Sequence, residues 1–442
     1  RTLAHLEAGA EGVRASGVSG SSLGSEGSAP PYACHKSRLK WNGWGYEGTE
    51  FALNDTGDIY LTGDQYQAAD TVFPNFRPWL EDTIDGADFD DNVVYRDVPT
   101  CPPRRRNDDF VKAIEGHCAA YSVKDLDRIE HAHGHTLAEM VALRNGQLSR
   151  VPDIVVWPGS HEHVEEIVKA ASKYNVGIIP FGGGTTVSEA VLCPAKEERV
   201  IVSLDTKRMN RIKWVDRDSA LACVEGGITG IELEERLSAM GLTMGHEPDS
   251  HEFSTLGGWI ATRASGMKKN VYGNIDDLVV NCRVVTPAGT MERSSYGPRM
   301  STGPDVVQII LGSEGTLGVI TEATVKVRPL PEERAYGSIV FPCFEDGVGF
   351  MRDLAHANCY PASVRLMDNI QFQFGQALSP AQDSRLANFL NYLKKAYITK
   401  WHKFEVDRMA AVTLLFEGDP QTVRQQQAVV YSVAARHNGV NA

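Results

Sequence analysis

Pro180-Phe181-Gly182-Gly183-Gly184-Thr185-Thr186 follows an apolar run, Val176 to Ile179, that reads as a buried strand. Three consecutive glycines remove every Cβ from the turn, so the backbone can take positive φ and approach a ligand closely. Successive N–H groups in such a turn converge into an anion nest, and the two threonine hydroxyls add donors. The stretch taken alone is equally a tight turn. It is not the G-x-G-x-x-G dinucleotide fingerprint, and no Gly-Lys-Ser/Thr follows it, so it is not a Walker-type phosphate loop.

Working outward, the run Asp153 to Trp157 predicts a strand. Ser160 predicts the cap of a helix reaching Tyr174, with Val164, Ile167, Val168 and Ala171 at helical spacing and Gly177 near its C-terminal end. The result is a strand–helix–strand unit ending in the glycine turn. Strands follow at 200–204, 212–215, 220–225, 278–286 and 320–327. Thr229-Gly230-Ile231-Glu232 is a capping box that opens a helix carrying Leu233, Leu237 and Met240, with Gly241 as its stop. After Arg328-Pro329-Leu330-Pro331 a second α+β segment is expected, with strands at 338–341 and 412–416 and helices near 345–357, 382–397 and 423–435.

Two more turn systems share the first α+β segment. Asp249-Ser250-His251-Glu252-Phe253-Ser254-Thr255-Leu256-Gly257, preceded by His246 and continued by Thr262-Arg263-Ala264-Ser265, is dense in hydroxyls and glycine, with one cation. Those are the groups a pyrophosphate needs; a capped surface loop is the competing account. Glu314-Gly315-Thr316-Leu317-Gly318-Val319-Ile320 places glycine just before a β-run, which suggests a bend around a ligand or a bulge. Three such turns in one α+β segment favour a large, backbone-lined ligand site over coincidence.

The 442 residues allow two or three domains. Apolar content of 42% and charged content of 23% are those of an ordinary globular chain. The net charge of −13 disfavours nucleic acid as a partner. The eight cysteines form no C-x-x-C pair, and Cys193, Cys223 and Cys282 are expected as buried free thiols. His131, His133 and His135 alternate, but no acidic or cysteine partner clusters with them, so no metal is expected. Residues 1–31, rich in Gly, Ser and Ala, are expected to form a disordered leader. Trp41, Trp44 and Tyr46 are expected to form a packed plug. The chain starts at Arg1 and ends soon after a helical stretch, so a fragment or processed form is expected.

The stretches 180–186, 249–257, 262–265 and 314–320 together resemble the FAD-binding domain of the vanillyl-alcohol oxidase flavoprotein family. Residues 40–46, 132–135, 203–205, 265–270, 297–304 and 361–369 extend the resemblance to that family's ether-lipid synthase branch. The resemblance implies an α+β, two-subdomain FAD-binding domain over 148–330. A mainly helical region would precede it at 32–147, and a partial α+β substrate or cap domain would follow at 331–442. It implies non-covalent FAD, with the pyrophosphate at 180–186 and 262–265 and the rest of the cofactor flanked by 249–257 and 314–320. It implies exchange of the acyl group of acyl-dihydroxyacetone phosphate for a long-chain fatty alcohol, through an adduct at flavin N5 and with no net redox change. His246 would assist proton movement. Arg365 would meet an anion, with an ion pair to Asp368 as the competing account. A peroxisomal location, a homodimer and peripheral membrane contact are further implications. The branch also has a catalytic tyrosine and a histidine run toward its C-terminus. No adjacent histidines occur in this chain, so those elements are expected to be missing from it. An oxidase or dehydrogenase of a hydroxy acid or phenolic alcohol, and a non-catalytic flavin-fold protein, remain alternatives.

Overall fold

The computed structural model describes residues 39–66, 68–86, 98, 100–295, 297, 300–380 and 400–441. The expected leader at 1–31 and the expected helix at 382–397 lie outside them.

Strand Ile154–Trp157 is an unbroken apolar run because it is covered on both faces, as parallel strands are. It pairs in parallel with Ile201–Asp205, which pairs in parallel with Gly177–Phe181. An antiparallel edge strand, Ala120–Ser122, completes four strands. The crossover between Ile154–Trp157 and Gly177–Phe181 is helix His161–Lys173. Ser160 caps it by accepting from the His163 N–H, and Val164, Ile167, Val168 and Ala171 form its buried stripe. Burying each of the large members of that stripe contributes roughly 1.5–3 kcal/mol. Gly177 does not end this helix. Tyr174 is its C-cap, Asn175 takes the left-handed conformation (φ 54°), and Gly177 already belongs to the next strand.

A second, antiparallel sheet runs in the order Gly289–Met291, Val279–Thr286, Val319–Lys326, Leu221–Glu225, Ile212–Asp216. Helices Gly230–Ser238 and Leu256–Thr262 supply its apolar cover through Leu233, Leu237, Leu256, Trp259 and Ile260. The capping box forms as expected, with Thr229 and Glu232 bonded reciprocally. Met240 lies beyond the end of that helix and is exposed. Helix His161–Lys173 packs between the two sheets, and Val285 and Val319 of the second sheet join the first core.

The third sheet orders Ser363–Met367, Ala410–Gly418, Glu333–Phe341 and Val440–Asn441, with helices Phe344–His356 and Pro420–Arg436 on its apolar face. Its long strands, 333–341 and 410–418, extend beyond the apolar runs at 338–341 and 412–416, because pairing continues residue for residue from Glu333 with Gly418 to Phe341 with Ala410.

Among the described residues the N-terminal region carries four short helices, between Phe76 and Arg144. It also holds a three-stranded meander, Phe51–Leu53, Ile59–Leu61 and Val72–Phe73, which the sequence reading missed. Of the expected plug only Tyr46 is buried, against Phe253 and Tyr66; Trp44 touches Phe253 and His135 but stays about half exposed, and Trp41 is part-buried. Cys193, Cys223 and Cys282 are buried free thiols. No helix of the described residues is long and apolar enough to cross a membrane.

Candidate cofactor site

Strand Gly177–Phe181 delivers the glycine turn to the C-terminal edge of the parallel strands, where open parallel sheets place their ligands. Only Gly184 of the three glycines has positive φ (66°), and a Cβ there would sit 2.6 Å from the Phe181 ring. A Cβ on Gly182 would strike the Thr255 hydroxyl, and one on Gly183 the Phe253 carbonyl. Two of the glycines are therefore required by the neighbouring loop rather than by a ligand. That loop presses the turn into shape. Among the described residues no backbone acceptor takes the N–H of Gly183, Gly184 or Thr185. From the other side, the His135 N–H anchors the Thr186 carbonyl at 2.8 Å.

The three turn systems converge on one groove of about 390 Å³. All of 180–186 lines it, as do Ser250, Ser254, Thr255, Gly257, Thr262, Ala264, Glu314, Gly315, Gly318, Val319 and Ile320. Thr255 caps helix Leu256–Thr262 by accepting from the Gly258 N–H, and Ser254 accepts from the Trp259 indole N–H at 2.7 Å. Glu314 holds a left-handed backbone (φ 49°); its N–H donates to Ala261 O, and its carboxylate accepts from the Ser188 hydroxyl at 2.9 Å.

Other expected residues point elsewhere. Leu256 and Phe253 are core. Glu252 is part-buried and accepts from the Tyr66 hydroxyl at 3.4 Å. His251 stacks on Trp259. Thr316 and Leu317 face a neighbouring cavity of about 380 Å³. Ser265 is exposed and outside the groove. Arg263, the one cation expected for a pyrophosphate, caps its helix in the left-handed region and pairs with Asp276 at 3.0 Å. The described lining contains no lysine or arginine, so a bound diphosphate would meet N–H and O–H donors instead. The sequence reading missed Ser188, Thr206 and Ala261, which also line the groove, as do Gly258 and Trp259. The signal that could have found Thr206 is its place directly after the strand paired with Gly177–Phe181.

His246 does not line the groove. It is 1% exposed and sits behind Trp259, with ring centroids 5.0 Å apart. Burial, reinforced by neighbouring His251, lowers its pKa to about 4. Arg365 projects from edge strand Ser363–Met367 and pairs with Asp249, not with Asp368; Asp368 instead caps helix Asn369–Ala377. His131 ends a helix rather than alternating along a strand, and its Nε2 lies 3.0 Å from Asp205. Among the described residues no group of three or more His, Cys, Asp or Glu could hold a metal ion.

A groove of this volume is within the range of cofactor clefts, roughly 300–1,000 Å³. Its glycine cradle, free N–H donors and apolar far wall suit a dinucleotide carrying an aromatic ring system. Comparison with known proteins gives that cofactor a name. The family described as FAD binding domain matches residues 152–295, and the one described as FAD linked oxidases, C-terminal domain, matches 330–442. Alkyldihydroxyacetonephosphate synthase of Caenorhabditis elegans is 45% identical over 93% of this chain and 69% of its own length. This chain belongs to the alkyldihydroxyacetonephosphate synthase family. The Dictyostelium discoideum synthase is 36% identical over 90% of the chain and 66% of its own length. A solved alkyldihydroxyacetonephosphate synthase superposes with a TM-score of 0.83 at 33% identity, covering 91% of this chain and 73% of that one. The chain thus spans about two thirds of the length of the curated relatives it matches. The fold is the family's α+β FAD-binding fold, and FAD is the cofactor.

Proposed function

We propose that this protein makes ether lipid. It exchanges the acyl group of acyl-dihydroxyacetone phosphate for a long-chain fatty alcohol. One C–O bond to the fatty acid breaks and one C–O bond to the alcohol forms, so no net oxidation occurs. The observation that carries this reading is 45% identity to a synthase over 93% of the chain.

Bound FAD supplies an electron sink at the reacting carbon. The chain's own residues bind and orient. The N–H groups of Gly183, Gly184 and Thr185, with the Thr185 and Thr186 hydroxyls, would hold the diphosphate. The Glu314 carboxylate, steadied by Ser188, would accept from cofactor hydroxyls. Arg365 would hold the anionic group of the substrate beside the groove. His246 is neutral at physiological pH and acts through Trp259, whose ring it backs. A peroxisomal location, a homodimer and peripheral membrane contact belong to the same reading.

The test is made on the full-length holoprotein. Radiolabelled fatty alcohol should enter an ether-linked phosphate lipid with no oxygen consumed and no acceptor reduced. Electron transfer to an acceptor without ether product would replace this reading with a flavin dehydrogenase.

A further inference from the structure

The expected role of Asp249 was cofactor contact, but the structure turns its carboxylate to Arg365, with Oδ1 3.0 Å from Nη2. We propose that Asp249 is an internal stand-in for the substrate's anion, holding Arg365 until a phosphate dianion displaces it. This rests on the reading of Arg365 given above.

Four observations carry it. The two residues come from different parts of the fold: Arg365 from the edge strand of the third sheet, and Asp249 from between Pro248 and Ser250, both of which line the groove. The contact therefore lies beside the groove, next to two of its lining residues. Next, the pair is single-pronged and open to solvent, with side-chain exposures of 54% and 82%. Exposed ion pairs are weak, whereas arginine binds phosphate through two parallel charge-assisted bonds. Third, the nearest acid in sequence is unavailable, because Asp368 accepts from the Gln371 N–H at 2.8 Å. Fourth, the groove's described lining carries no lysine or arginine, so Arg365 beside it is the cation left to meet an anion.

The charge balance gives the contact a purpose. A bare Arg365 would attract any anion, including the fatty acid released by the exchange. With Asp249 in place, a monoanion must displace an equal charge and gains little. A phosphate dianion brings twice the charge and wins. Asp249 is thus a specificity element that works by opposing the wrong ligand.

The experiment titrates full-length holoprotein with inorganic phosphate and, separately, acetate, using calorimetry. Wild type, Asp249→Asn, Asp249→Ala and Arg365→Gln are compared, and FAD content is measured spectroscopically in each. Both Asp249 variants should bind acetate more tightly, by up to about fivefold, the ratio that about 1 kcal/mol represents. Phosphate should tighten less, so the preference for phosphate narrows. Arg365→Gln should lose saturable binding of both. An unchanged phosphate-to-acetate ratio, or weaker phosphate binding in the Asp249 variants, would overturn the proposal. Loss of FAD from them would return Asp249 to the cofactor site and overturn it equally. Should the ether-lipid assay fail while the ratio still narrows, only the functional reading falls.

Discussion

The imidazole of His246 meets the indole of Trp259 edge-on, with ring centroids 5.0 Å apart and planes at 63°. Trp259 lines the groove and His246 does not, so the histidine is a backing residue for the wall. Neither of its ring nitrogens has a hydrogen-bond partner among the described residues. Burial holds the ring neutral, with a pKa of about 4.

That depressed pKa predicts a pH dependence of stability. The unfolded chain binds a proton near pH 6.5, and the folded one only near 4. His246's contribution is complete above about pH 6.5 and is lost as pH falls through that window. The slope is about 1.4 kcal/mol per pH unit while it lasts. Melting temperatures of wild type and His246→Asn, measured from pH 4 to 7, should converge as pH falls. Parallel curves would show that the ring is solvated or paired.

Gly183→Ala should fail through packing. Its Cβ would meet the Phe253 carbonyl, which belongs to backbone and cannot swing away. Overpacking of this kind costs about 1–3 kcal/mol. The urea midpoint should fall and FAD should be lost together. Gly375→Ala is the control. It lies in a helix with open space around it, and should be neutral or stabilising by about 0.5–1 kcal/mol.

These cases show what the sequence could and could not disclose. The strand–helix–strand unit was legible because its signals are local: an apolar run, a capping serine and a stripe at helical spacing. The glycine turn was legible as a site wall. The reason for Gly182 and Gly183 was not, since the loop they accommodate lies far along the chain at 253–255. Partners of charged residues were equally hidden. Arg263 and Arg365 each had a plausible ligand role, and only the fold shows Asp276 and Asp249 facing them. The meander at 51–73 escaped notice because strands of two or three residues carry almost no period.

A buried charge cluster joins the second sheet's loops to the third sheet. Glu417 meets Arg334 at 2.7 Å and Lys268 at 3.6 Å, and accepts from the Tyr272 hydroxyl at 2.8 Å. Burial, followed by the bond to Glu417, raises the Tyr272 pKa, so the phenol remains a donor. Glu417→Ala would leave the buried Lys268 ammonium with Glu247 as its remaining ion-pair partner. Breaking a buried pair from one side costs about 3–5 kcal/mol. Chemical denaturation should show a loss near the lower bound, because Arg334 is half exposed. A change within error would mean the cluster is already solvated.

Glu314 separates stability from binding most sharply. A non-glycine residue at φ 49° costs roughly 1–2 kcal/mol relative to glycine, so Glu314→Gly should match or exceed wild type in thermal stability. The same change removes the carboxylate that Ser188 steadies at the groove edge. A hydrogen bond to a charged group contributes about 1.5–3 kcal/mol, so FAD affinity should fall by at least about tenfold. Flavin fluorescence on dilution reads the affinity, and calorimetry of the apoprotein reads the stability. If both fall together, Glu314 is merely part of the scaffold. If stability holds while the flavin leaves, the strained backbone at this position is retained for the cofactor.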